Sequence, residues 1–275
     1  MQAIEFLSYG FVQRALIAGV MIAVIASVLG VFLVLRRLSL IGDGLSHVSF
    51  SGIALGLLLG ANPLYVSVPV VVISSLAIFK LSSRAGVYSD AAIGMVSALG
   101  IAGGVILSSF AGGFNVDLFS YLFGSILSIT TGELWFSVAL CVLILICLRL
   151  FYHELVCVTF DSEYARVLGI NTKAVDLAFV IFSSVAVVLL LRVAGIMLVS
   201  ALLIIPAAGA LQVGRGFRSV VIVSCVSSII AVLTGIYVSF ALNLPSGATI
   251  VLINLFIFLA LYLCGRLGLL FKKRS

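Results

Sequence analysis

The feature that most limits this chain is its series of long apolar runs, each near the length needed to cross a bilayer. Nine can be read along the 275 residues, at about 12–35, 43–60, 64–80, 90–110, 132–151, 174–192, 195–213, 217–241 and 246–267. A helix of about 20 apolar residues spans the hydrocarbon core. The runs lack the period-two alternation of barrel strands, and in lipid every backbone N–H and C=O must find its partner within the fold. The expected fold is therefore all-α: a polytopic transmembrane helical bundle of about nine spans, with eight left open if two runs merge or one re-enters. Hydrophobic residues make up 64% of the chain and charged ones 9%. A soluble domain carries about 25% charged residues, so a conventional water-soluble core is excluded.

Charge sets the direction of the bundle. With the N-terminus outside, Arg36, Arg37, Lys80, Arg84, Arg166, Lys173, Arg215, Arg218, Arg266, Lys272, Lys273 and Arg274 fall at or beyond cytoplasmic ends, and Arg149 lies near one. Only Arg14 and Arg192 go to the other side. This is the positive-inside bias, and it places the C-terminus in the cytoplasm. The net charge of +6 then reflects topology rather than nucleic-acid binding. Residues 1–275 are expected to form a single transmembrane domain, and the first run is long enough to stay in the membrane rather than be cleaved as a signal. The mixed stretch 111–131, with Asn115 and Asp117, is expected to lie at the outer surface or to re-enter partly. The polar stretch 153–173 is expected in the cytoplasm. The cysteines Cys141, Cys147, Cys157, Cys225 and Cys264 have neither disulfide nor metal-ligand spacing.

Ionisable groups inside lipid are costly and point to function. The sharpest case is Gly42-Asp43-Gly44-Leu45-Ser46-His47, at the start of the second run. Asp43 and His47 are four apart, one turn apart on one helical face. A carboxylate and an imidazole so placed suit a cation such as Mn(II), Fe(II) or Zn(II) better than Cu(I), which prefers sulfur. A simpler reading keeps Asp43 as a helix cap and His47 as a hydrogen-bonding partner. Gly52, Gly56 and Gly60 follow at four-residue spacing, roughly opposite that face. Glycines at this spacing let a neighbouring helix approach closely.

Other polar residues have local explanations. Asp90 and Asp176 begin apolar runs, where a helix N-terminus favours a carboxylate. His153 and Glu154 lie where a helix leaves the membrane, and Glu133 is read as solvated on the outer side. The stretch from Phe160 to Ile170 reads as a short cytoplasmic helix, with Asp161 as its cap and Gly169 at its end. It also carries Glu163 and Ala165. Tyr164, Val167 and Leu168 share one side, as docking into a partner's groove requires.

At these residues the chain resembles the permease subunits of bacterial zinc/manganese/iron ABC importers. The resemblance rests on RRLSLIGDGLSHVSFSGIALG at 36–56, DSEYARVLGI at 161–170, LLIIPAA at 202–208 and PSGATIVL at 245–252. Gly44 stands where many members have Ala. The resemblance implies a permease in the bacterial cytoplasmic (inner) membrane that moves Mn, Zn or Fe(II) inward and carries no covalently bound cofactor. It implies Asp43 and His47 as metal ligands. It further implies Asp161, Glu163, Tyr164, Ala165, Val167, Leu168 and Gly169 as the segment receiving the stroke of a separate ATPase. The expected partners are a second permease copy or a paralogue, cytoplasmic ATP-binding subunits, an extracytoplasmic metal-binding protein and the lipid bilayer, with no nucleic acid. The chain has no Gly-x-x-x-x-Gly-Lys-Ser/Thr phosphate loop, so it is expected to be a transport subunit and not an enzyme. Two other readings of the Asp43–His47 pair are a gradient-driven secondary transporter and a membrane metallo-enzyme.

Overall fold

The computed structural model describes residues 9–84, 87–112, 121, 122, 124 and 126–272, with backbone alone at 84, 127, 192 and 268–272. Among these residues there are helices and no strands. In chain order they are α1 (Gly10–Leu35), α2 (Leu40–Leu58), α3 (Pro63–Arg84), α4 (Ser89–Phe110), α5 (Thr131–Leu150), α6 (Tyr152–Phe160), α7 (Ser162–Val167), α8 (Thr172–Ala194), α9 (Val199–Val213), α10 (Phe217–Leu242) and α11 (Ser246–Lys272). Among the described residues nine helical stretches are long and apolar enough to cross a membrane, and they match the nine apolar runs, none of them merged. The seventh span joins a 3-10 turn, Ile196–Leu198, to α9 after a break at Gly195, where φ is +77°.

Helix α1 is central, buried along its length from Val12 to Leu33 and packed on α9, α10 and α5. A Cβ at Gly30 would strike the backbone carbonyl of Leu203, so only glycine permits the observed approach of α9 to α1. Helix α2 lies between α3 and α4, and α8 bridges the two groups through α3 and α1. Backbones this close are the signature of membrane helix packing, where small residues replace the hydrophobic drive available in water.

At the end of the bundle opposite Arg36, Thr130 and Glu133 form a reciprocal capping box at the start of α5. Glu133 is only 2% exposed, and one of its carboxylate oxygens accepts a hydrogen bond from Asn62 Nδ2 at 3.4 Å. It is thus a buried cap and not the solvated group expected from the sequence. The expected outer segment 111–131 is only partly visible: Asn115 and Asp117 lie outside the described residues. In its later part Tyr121, Ile126 and Ile129 pack in the main core, while Ser128, Thr130 and Thr131 are exposed.

Candidate metal site

Helix α2 starts after a tight reversal. Leu35 ends α1, Arg37 takes a left-handed backbone at φ +58°, and α2 begins at Leu40. Close packing then pins most of the helix. A Cβ on Gly44 would meet Ile93 of α4 at 2.5 Å, and the approach of Gly100 to Val48 Cα leaves room for only 2.6 Å. On the α3 side, a Cβ on Gly52 would stand 2.6 Å from Ser67 Cα, and one on Gly56 2.6 Å from Pro63 Cα. Gly60 does not belong to this stripe. It lies beyond the end of α2 at φ +63°, with nothing within 4 Å of where a Cβ would point. Its glycine serves the turn into α3, since a left-handed backbone is costly for residues with a Cβ.

What remains uncovered on α2 forms one stripe. Leu40, Asp43, His47, Ser51, Leu55 and Leu58 are exposed or half-buried, at steps of three or four residues, while most of the remaining helix is buried. His47 Nε2 and Asp43 Oδ2 stand 3.6 Å apart within it, the Asp43 side chain 54% exposed and that of His47 26%. Two ligands of one ion at about 2.1 Å in tetrahedral array are about 3.4 Å apart. The pair therefore has the spacing of two donors to a shared cation, one hard oxygen and one imidazole nitrogen. Among the described residues no group of three or more His, Cys, Asp and Glu side chains is placed to hold a metal ion.

The polar segment after α5 is ordered by local chemistry. Asp161 Oδ1 accepts hydrogen bonds from the backbone N–H groups of Glu163 and Tyr164, at 3.0 and 2.9 Å, capping α7. At the other end Gly169 adopts φ +81°, and the N–H of Ile170 reaches back to the carbonyl of Ala165 at 3.0 Å. This is the Schellman closure that glycine favours. Ala165 is fully buried and anchors the turn, whereas Tyr164, Val167 and Leu168 are exposed, Val167 by 84%.

A residue read from the sequence only as a topology marker turns out to tie these two regions together. The Arg36 guanidinium donates to Asp176 Oδ1 at 2.8 Å, to Thr159 Oγ1 at 2.8 Å and to the carbonyl of Leu155 at 3.3 Å. It also lies 4.6 Å above the ring of Phe179. Burial pushes its pKa down from the usual arginine value, while the charge of Asp176 and the hydrogen bond to it push the other way. Asp176 is in the second turn of α8 rather than at its first residues, so its position answers to Arg36 and not to the helix terminus. The signal was in the sequence: a carboxylate displaced inward from a span's start needs a cation.

Nine helical stretches of spanning length among the described residues, one open stripe carrying Asp43 and His47 on an otherwise packed helix, and a capped segment bearing exposed apolar groups define a membrane-embedded transport subunit. Residues 8–265 match the ABC 3 transport family. The manganese transport system membrane protein MntC of Listeria innocua is 31% identical over 270 residues, covering 98% of this chain and 96% of its own. The manganese import system permease protein ScaB of Streptococcus gordonii is 31% identical over 251 residues, covering 91% and 90%. The solved structure of PsaBC from Streptococcus pneumoniae in complex with Fab superposes with a TM-score of 0.86 at 28% identity, covering 95% of each chain. The chain belongs to the ABC 3 transport family. It is the membrane subunit of an ABC transporter and not its ATPase, which sets aside the gradient-driven carrier and the metallo-enzyme.

Proposed function

We propose that this chain is the permease through which an ABC importer of the bacterial cytoplasmic membrane admits manganese(II), with Zn and Fe(II) as competing cargo. The observation that carries the reading is the Asp43–His47 pair, 3.6 Å apart on the one uncovered stripe of α2. A carboxylate facing hydrocarbon is costly, so this stripe calls for a covering surface or a water-filled path. A second permease copy or a paralogue facing the stripe supplies both. It would also complete the coordination shell, since among the described residues no third His, Cys, Asp or Glu joins the pair. Carboxylate plus imidazole suits Mn(II) and Zn(II), and relatives of similar length are named for manganese.

The path of force follows from the other end. Exposed Tyr164, Val167 and Leu168 offer an apolar contact to a cytoplasmic ATPase subunit. Motion of α7 reaches Arg36 through Thr159 and Leu155 of α6, and Arg36 sits next to the turn that opens into α2. An ion delivered from outside by a metal-binding protein would meet Asp43 and His47 and be released inward as that turn moves.

The test is manganese accumulation in cells lacking their own importer, with the permease present at equal membrane level. Asp43→Ala and His47→Ala, singly and together, are expected to reduce accumulation to background while the ATPase subunit still co-purifies. Accumulation at the wild-type rate in the double variant removes the site.

A further inference from the structure

A second feature at the cytoplasmic end of the bundle is unused by the transport reading. Between α5, α6 and α10 lies a cavity of about 370 Å³ lined by Arg149, Tyr152, His153, Phe217 and Arg218, with Val221 and Ile222 along one wall. Arg149 is in the last turn of α5 and Arg218 in the first turn of α10. Both therefore stand at the ends of helices of membrane-spanning length. Neither has a hydrogen bond or ion pair with another described residue, and Glu154, next to His153 in sequence, is in no ion pair with them. Two exposed guanidinium groups beside an imidazole thus share a concave site with no ion-pair partner among the described residues.

Arg149 also borders an apolar face of α5 made by Val142, Leu145, Ile146 and Leu150. Charge at the span end, aromatic rings beside it and an exposed apolar helix face along the span are the three parts an amphiphile with an anionic head requires. Basic clefts between helices on the cytoplasmic side are suited to anionic phospholipid headgroups, and guanidinium binds phosphate through paired hydrogen bonds.

We infer that this cleft is an anionic-phospholipid site, with Arg149 and Arg218 holding the phosphate, His153 and Tyr152 flanking it, and an acyl chain lying along the exposed apolar face of α5. The inference needs only the membrane-spanning fold and stands apart from the metal assignment.

The experiment uses the full-length chain purified in mild detergent, with phosphatidylglycerol or phosphatidylcholine added. Phosphatidylglycerol is expected to raise the thermal midpoint above that in phosphatidylcholine, and to survive as bound adducts in native mass spectrometry. In Arg149→Gln/Arg218→Gln the midpoint gain is expected to vanish and adducts to fall, by roughly fivefold for each charge removed. Lys80→Gln/Lys173→Gln, which removes equal charge at the same end of the bundle, is expected to keep both. Ile222→Ser leaves both guanidinium groups in place and is expected to reduce adducts while the chain stays folded, which keeps the test informative if the double arginine variant does not fold. Three outcomes overturn the inference: equal loss in both glutamine pairs, an equal midpoint gain from inorganic phosphate alone, or loss of a co-purifying subunit in place of lipid from the Arg149/Arg218 variant.

Discussion

Arg36 Nη1 and Asp176 Oδ1 are 2.8 Å apart, joining the end of α1 to the second turn of α8 across 140 positions of sequence. The arginine side chain is 8% exposed and the aspartate 41%, so the pair is sheltered from one side only. The same guanidinium also holds Thr159 and Leu155 of α6. A planar fork can serve several acceptors at fixed angles, which an ammonium cannot. Arg36→Lys is therefore expected to leave the chain folded but to lower the ratio of metal imported to ATP hydrolysed in the reconstituted complex. Asp176→Asn should cost about 1–3 kcal/mol, the range for losing a charged hydrogen-bond partner, seen as a lower thermal midpoint in detergent. A wild-type ratio in Arg36→Lys would show that the contact serves folding alone.

The α2–α3 approach separates glycines that look alike in sequence. At Gly52 and Gly56 a Cβ would stand 2.6 Å from backbone atoms of α3, which cannot yield without moving the helix. Gly52→Val and Gly56→Val are expected to abolish the monodisperse peak in size-exclusion chromatography. Gly60→Ala meets no atom but strains a left-handed backbone, costing about 1–2 kcal/mol, and should retain that peak with a lowered melting point.

Val167 and Leu168 are 84% and 54% exposed on a turn whose own core is the buried Ala165. A charge at either exposed position leaves that turn intact. Val167→Asp and Leu168→Asp are expected to weaken co-purification of the ATPase subunit while membrane levels stay normal. Retention at the wild-type ratio would place the docking surface elsewhere.

The capping box at the outer end of α5 offers a stability test independent of transport. Thr130→Ala removes the acceptor for the Glu133 N–H, and such losses cost about 0.5–2 kcal/mol. Glu133→Ala removes the acceptor for the Thr130 N–H and frees Asn62. Because the two side chains act reciprocally, the double variant should lose less than the sum of the singles. Strict additivity of the thermal shifts would show that the box is not cooperative.

Properties that depend on neighbours in sequence were readable from the sequence. The nine spans follow from run length and hydropathy, and the caps at Asp161 and Gly169 follow from residue chemistry within one turn. The one-turn stacking of Asp43 and His47 follows from helical period. The partners that decided the rest are distant in sequence. Leu203 lies against Gly42, Ile93 against Gly44 and Ser67 against Gly52. Those contacts cover three sides of α2 and leave the Asp43–His47 stripe open. Glu133 reads as a solvated acid and Asp176 as an ordinary helix-terminal one until Asn62 and Arg36 are brought beside them. A helical pattern tells which residues share a face, but which face is covered is set by packing between segments far apart in the chain. That is why the spans and caps were legible in the sequence, while the open stripe, the Arg36 junction and the basic cleft were decided only by the tertiary structure.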